Sequence, residues 1–148
     1  MMIGFKNREF EVGIKVRVYR KLPRGHFSVM ANEGEHKGRV LIHSDHVLIK
    51  AVNFRVYEKS GRQSVLKTGH KNVHAYADGV LLSISKQDIT TSVENEITYD
   101  PKRNPELPAG KFYYRQHPNK DVESVDCLYL SDHKTYQVNQ ISQEALSL

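Results

Sequence analysis

Apolar and polar side chains alternate without a break near the start of the chain: Val12, Ile14, Val16 and Val18 fall between Glu11, Gly13, Lys15 and Arg17. Successive side chains of a strand point to opposite faces, so this period of two predicts a half-buried strand over 11–19. Leu22-Pro23-Arg24-Gly25 reads as the turn that follows, proline presetting its first dihedral and glycine accepting the positive φ after it. Phe27, Val29 and Ala31 then fall on one side of a second strand over 26–31, completing a predicted hairpin. Further strands are predicted over 39–43 and 52–58, the latter alternating Val52, Phe54 and Val56 with Asn53, Arg55 and Tyr57. Val73 to Ala77 and Gly79 to Ile84 read as two short strands about Asp78-Gly79, a dipeptide of tight hairpins. No stretch carries a helical period, and 60–72 reads as a connector.

Short strands punctuated by turns predict a mainly β fold whose first part is a small antiparallel barrel. After Lys86 the pattern weakens and the charge changes sign, which places a boundary near residue 90. The expected organisation is a basic small β-barrel domain over 1–90 and an acidic antiparallel β appendage over 91–148. In the second part strands are predicted over 96–99, 111–115, 122–130 and 135–141. Their connections are Pro101 to Gly110, His117-Pro118-Asn119-Lys120 and Ser131-Asp132-His133-Lys134, since proline cannot donate to a ladder. This appended short antiparallel β meander is too small to be stable alone and is expected to pack on the barrel.

Composition narrows the class. Of 148 residues, 39% are hydrophobic and 26% charged, which is globular with a thin core. Apolar runs such as Val80-Leu81-Leu82 fall far short of the roughly 18 residues needed to span a bilayer, so no membrane partner is expected. Residues 1–6 lack the apolar stretch of a secretory signal, and the expectation is a cytoplasmic protein. Cys127 is the sole cysteine, which excludes an internal disulfide and a cysteine-based zinc site.

Candidate chemistry is sparse. Among eight histidines, His43 and His46 would point to opposite strand faces unless Ser44-Asp45 turns the chain. His70 and His74 would lie about 13 Å apart on a strand, too far for one ion. These histidines read as surface or hydrogen-bonded groups, with no metal and no cofactor. Among the seven carboxylates of the first region, Glu33, Glu35, Asp45, Glu58 and Asp78 form no evident acid/base pair, and Cys127 sits in an apolar strand context that suits an inert thiol. No phosphate-binding glycine loop or dinucleotide fingerprint appears. The chain does not read as an enzyme.

Charge is the strongest functional signal. Residues 1–86 carry 16 Lys and Arg against 7 Asp and Glu, whereas 87–148 carry 6 against 10. A net +9 beside −4 attracts polyanions or an acidic partner over a Debye length of about 8 to 10 Å. Lys15, Arg17, Tyr19 and Lys21 occupy the non-apolar positions of the first strand and are expected on one outer face, with Arg20 and Arg24 clustered at the adjoining turn. Arg62, Lys67 and Lys71 extend this set, and Asn72 can hydrogen-bond bases or backbone. Cations with an interleaved tyrosine are what small barrels use to track phosphates and stack bases, so nucleic acid is the expected partner. The plainer alternative is a solvated strand face whose Lys and Arg discourage edge pairing. Two further readings are an inhibitor that binds a host protein, anchored by Tyr113-Tyr114-Arg115 and Tyr129, and sequestration of a nucleotide signal by Arg17, Arg62 and Asn72.

Several segments together carry a resemblance: Val16-Arg17-Val18-Tyr19-Arg20, His36-Lys37-Gly38-Arg39-Val40, Gly61-Arg62-Gln63, Lys71-Asn72-Val73-His74-Ala75, Ile97-Thr98-Tyr99-Asp100-Pro101 and Leu128-Tyr129-Leu130. In these the chain resembles small proteins of tailed bacteriophages, a family of unknown function. The resemblance implies a phage protein acting in the host bacterial cytoplasm, and it implies no chemistry.

Overall fold

A computed structural model describes residues 1–21, 26–58, 73–86, 96–98, 112–131 and 134–138. Two short strands, β1 (Met2–Ile3) and β2 (Glu9–Phe10), pair around a 3-10 turn over Phe5–Asn7. The other ten are β3 (Lys15–Lys21), β4 (His26–Ala31), β5 (Val40–Ser44), β6 (His46–Glu58), β7 (Val73–Ser83), β8 (Glu96–Thr98), β9 (Tyr113–Tyr114), β10 (His117–Asp121), β11 (Ser124–Ser131) and β12 (Lys134–Gln137). They form one sheet in the order β10-β9-β8-β12-β11-β6-β7-β3-β4-β5. Every neighbouring pair is antiparallel. The fold is mainly β.

The first hairpin forms as the alternation predicts, with β3 and β4 in register from Val16 opposite Ala31 to Lys21 opposite His26. Its first strand begins four residues later than expected. Gly13 takes φ 91 in a turn and its N–H donates to the Leu81 carbonyl at 2.7 Å, which leaves Val12 exposed. The predicted turn at Leu22 to Gly25 lies outside the described residues.

Asp78-Gly79 is not a hairpin turn; β7 runs straight through it. Gly79 lies so close to β6 that a Cβ would stand 2.7 Å from the Lys50 carbonyl oxygen, so glycine is there for close strand approach rather than for turning. The register of β6 against β7 slips between Lys50 and Asn53, where Ala51 takes φ 52. This bulge bends the long strand. His117 to Lys120, expected as a connection, instead forms most of β10. That strand ends the sheet order, where the missing N–H of Pro118 is tolerated.

One residue, Asp45, separates the end of β5 from the start of β6, although β7, β3 and β4 stand between them in the sheet. These five strands therefore curl until the corner meets. Ser44 fastens it, its hydroxyl donating to the carbonyls of His46 at 2.7 Å and Ile84 at 3.2 Å. Ring closure of a barrel is not among the pairings of the described residues.

β11 runs along β6 from Ser124 opposite Asn53 to Ser131 opposite His46, so the strands after residue 96 continue the sheet of the first part. A single buried cluster joins both, from Val16, Val18 and Leu41 through Ile49 to Ile97, Phe112 and Leu128. Leu48, Tyr129 and Val138 form a smaller cluster. The expected boundary near residue 90 lies outside the described residues.

Candidate nucleic-acid interface

Val16 and Val18 are fully buried, so the alternating Lys15, Arg17 and Tyr19 leave the core face of β3. The register then adds partners that the strand's own sequence does not reveal. Lys15 stands opposite Val80 of β7, and Val80 opposite Lys50 of β6. Arg17 stands opposite Asp78, and Asp78 opposite Asn53; Arg55 stands opposite Tyr76. Lys15, Arg17, Lys50 and Arg55 consequently share one face across three adjacent strands. Lys50 and Arg55 were missed by the sequence reading. The polar positions of 52–58 signal Arg55, but nothing local says which strand lies beside it.

Asp78 sits among these cations. Arg17 grips it with two charge-assisted bonds, Nε to Oδ1 at 2.8 Å and Nη2 to Oδ2 at 3.1 Å. Asn32 Nδ2 donates to Oδ1 at 3.3 Å, and Arg55 Nε lies 3.5 Å from Oδ2. The Arg17 guanidinium also lies 4.0 Å from the Tyr76 ring centroid, a cation–π contact. Hydrogen bonding to Asp78 raises the Arg17 pKa against the opposing effect of burial. Arg17 is thus a fixed charge, while Lys15, Lys50 and Arg55 are exposed. Glu33 Oε1 also accepts from the Lys15 backbone N–H at 3.0 Å, so four cations stand against two carboxylates and the face stays net positive.

The other expected site residues fall elsewhere. Arg20 has the opposite parity to Arg17: it stands across from Phe27, on the side of Val16 and Val18, and borders a cavity there. Lys21 ends β3, with its side chain outside the described residues. Arg24, Arg62, Lys67, Lys71 and Asn72 also lie outside them. Of the anchors weighed for a host-protein surface, Tyr129 is buried, Tyr114 packs on the core and donates to Gln137 Oε1 at 2.8 Å, and Arg115 pairs with Glu96 at 3.0 Å.

The histidine pair His43 and His46 is split between two networks by the Asp45 corner. His43 Nδ1 lies 2.9 Å from the buried Ser28 hydroxyl, and its ring 4.8 Å from that of His26. His46 Nδ1 lies 2.9 Å from the Tyr129 hydroxyl and 3.1 Å from that of Ser131. Among the described residues no three His, Cys, Asp or Glu side chains are grouped to hold a metal ion. Burial raises the pKa of the half-buried Cys127 thiol, with Asp126 adding to the rise and Lys50 opposing it.

The span holding this face, from β2 to the end of β12, is the span shared with known proteins. Residues 9–138 match the model of the family described as the Mycobacterium phage L5 gene 82 protein. The chain belongs to this family. A relative, the gene 82 protein of Mycobacterium phage L5, is 34% identical over 125 residues, covering 80% of this chain and 91% of the relative. No solved structure matches the chain. The phage resemblance in the sequence is therefore a family relationship, and the relative's name states its gene of origin without an activity. No helix among the described residues is long and apolar enough to cross a membrane.

Proposed function

We propose that this phage protein is a non-enzymatic nucleic-acid-binding protein of the host cytoplasm, holding a strand along the face shared by β3, β7 and β6. The observation that supports this reading is the gathering of Lys15, Arg17, Lys50 and Arg55 onto one surface with Asp78 as the carboxylate between them. Lys15, Lys50 and Arg55 meet phosphates, Arg17 stays fixed over Tyr76, and Tyr19 offers a stacking surface. Three or four such contacts give a slope of about −2 to −3 in log K against log salt for a single strand. The test is titration of a fluorescent single-stranded oligonucleotide with the Lys15→Glu/Lys50→Glu/Arg55→Glu variant. Binding is expected to vanish with the fold intact; unchanged affinity removes the site. Arg17 is left in place, because a glutamate there would face Asp78.

Binding of a host protein is the second reading, and one observation favours it. Among the described residues, the exposed large apolar side chains Met1, Ile3, Phe5 and Val12 all lie within the first twelve positions. A pull-down from bacterial lysate with and without nuclease separates the two, because a protein partner captured by the amino-terminal segment survives nuclease treatment.

A further inference from the structure

Arg17 differs from the other cations of the face shared by β3, β7 and β6. Lys15, Lys50 and Arg55 are exposed, whereas the Arg17 side chain is 29% exposed and held on two sides. Asp78 takes one edge of its guanidinium, at Nε and Nη2, and the Tyr76 ring lies against one plane, with Cζ 4.0 Å from the ring centroid. What these contacts leave to solvent is the second plane, with Nη1 at its edge. A group committed in this way is a weak phosphate ligand, because Asp78 cancels its charge at short range and occupies the fork that would hold phosphate oxygens. It is, however, a rigid flat surface.

Nucleobases stack on guanidinium planes as they do on aromatic rings, a mode open to unpaired bases and closed to bases inside a duplex. Stacking is favoured when the side chain is ordered before the ligand arrives, since no rotamer freedom is then lost on binding. Arg17 meets that condition twice: the two bonds to Asp78 set the tilt of the plane, and the Tyr76 ring sets its height. The surroundings suit a strand. Lys15 and Lys50 stand across Val80 in one row of the register and Arg55 stands opposite Tyr76 in another, with the Arg17 and Asp78 row between them. Phosphates therefore find exposed cations on both sides of the plane.

On the oligonucleotide reading, on which this rests, we infer that the open plane of Arg17 is the stacking platform for an unpaired nucleobase. The ligand of the face is then a single strand held by a splayed base as well as by its phosphates.

The test titrates the full chain with a short oligothymidine and with an abasic strand of the same length and charge. The base-bearing strand is expected to bind about tenfold more tightly or better, the scale of one stacked base. That ratio is expected to hold as salt rises, since both strands release the same counterions. Equal affinity of the two strands overturns the platform and leaves the oligonucleotide reading standing; binding of neither overturns both. Arg17→Lys keeps a positive charge facing Asp78 and removes the plane, and is expected to cut the ratio toward unity without weakening the abasic strand. An unchanged ratio overturns the platform. Asp78→Ala is expected to tighten both strands and narrow the ratio, because a negative charge is removed while the plane is released. The unsubstituted protein supplies its own readout, independent of whether any variant folds. The Arg17 Nε–H resonance, sheltered by its bond to Asp78, is expected to move upfield with the base-bearing strand and stay in place with the abasic one; the same movement with both strands overturns the platform.

Discussion

Asp78 holds the cation face together and limits its charge. It accepts two bonds from Arg17 and one from Asn32, and Arg55 lies beside it. Replacing it with alanine leaves Arg17 over Tyr76 without its carboxylate, at a cost of about 1 to 3 kcal/mol in folding free energy. The same change removes one negative charge from the face. Asp78→Ala is therefore expected to lower the denaturant midpoint while tightening oligonucleotide binding, opposite signs that a merely structural residue does not produce. Cys127 supplies a pH-dependent test. Burial raises its folded pKa, so the thiol proton is held more tightly in the native state, and this contribution is fully present below the ordinary thiol pKa and lost as pH rises through the higher folded value. Disulfide-exchange labelling at mildly alkaline pH is expected to be slower in the native protein than in denaturant; equal rates would show that burial does not protect the thiol.

At the scale of elements, the β3–β4 hairpin was legible because one face is buried and a period of two then fixes which residues point inward. Its true start was hidden, since Gly13 continues the alternation in sequence while its φ of 91 turns the chain. The Asp78-Gly79 pair misled for a related reason. Its composition fits a turn, but the requirement for glycine comes from the neighbouring strand, where a Cβ would meet the Lys50 carbonyl at 2.7 Å. Gly79→Ala is accordingly expected to push β6 and β7 apart and destabilise the protein by about 1 to 3 kcal/mol, measured by urea unfolding. Little or no loss would mean that the bulge at Ala51 absorbs the methyl.

For the whole molecule, β11 lies on β6 and the buried cluster runs through both parts of the chain. Unfolding is expected as one cooperative transition, with fluorescence and far-ultraviolet dichroism coincident; separated transitions would show that the strands after residue 96 fold on their own. Leu128→Ala, at the β11–β6 seam, is expected to cost about 2 to 5 kcal/mol and to shift that whole transition.

By itself the sequence determined the mainly β class, the first hairpin and the outward parity of Lys15, Arg17 and Tyr19, because alternation dictates the face a side chain takes within its own strand. It held no statement of which strand lies beside which, since backbone ladders are alike for every strand and the choice of neighbour rests on packing of the entire core. Only the tertiary structure set Lys50 and Arg55 next to Arg17, put Asp78 among them and turned Arg20 to the opposite side. The composition of the cation face is thus a product of strand order, and its orientation a product of local pattern.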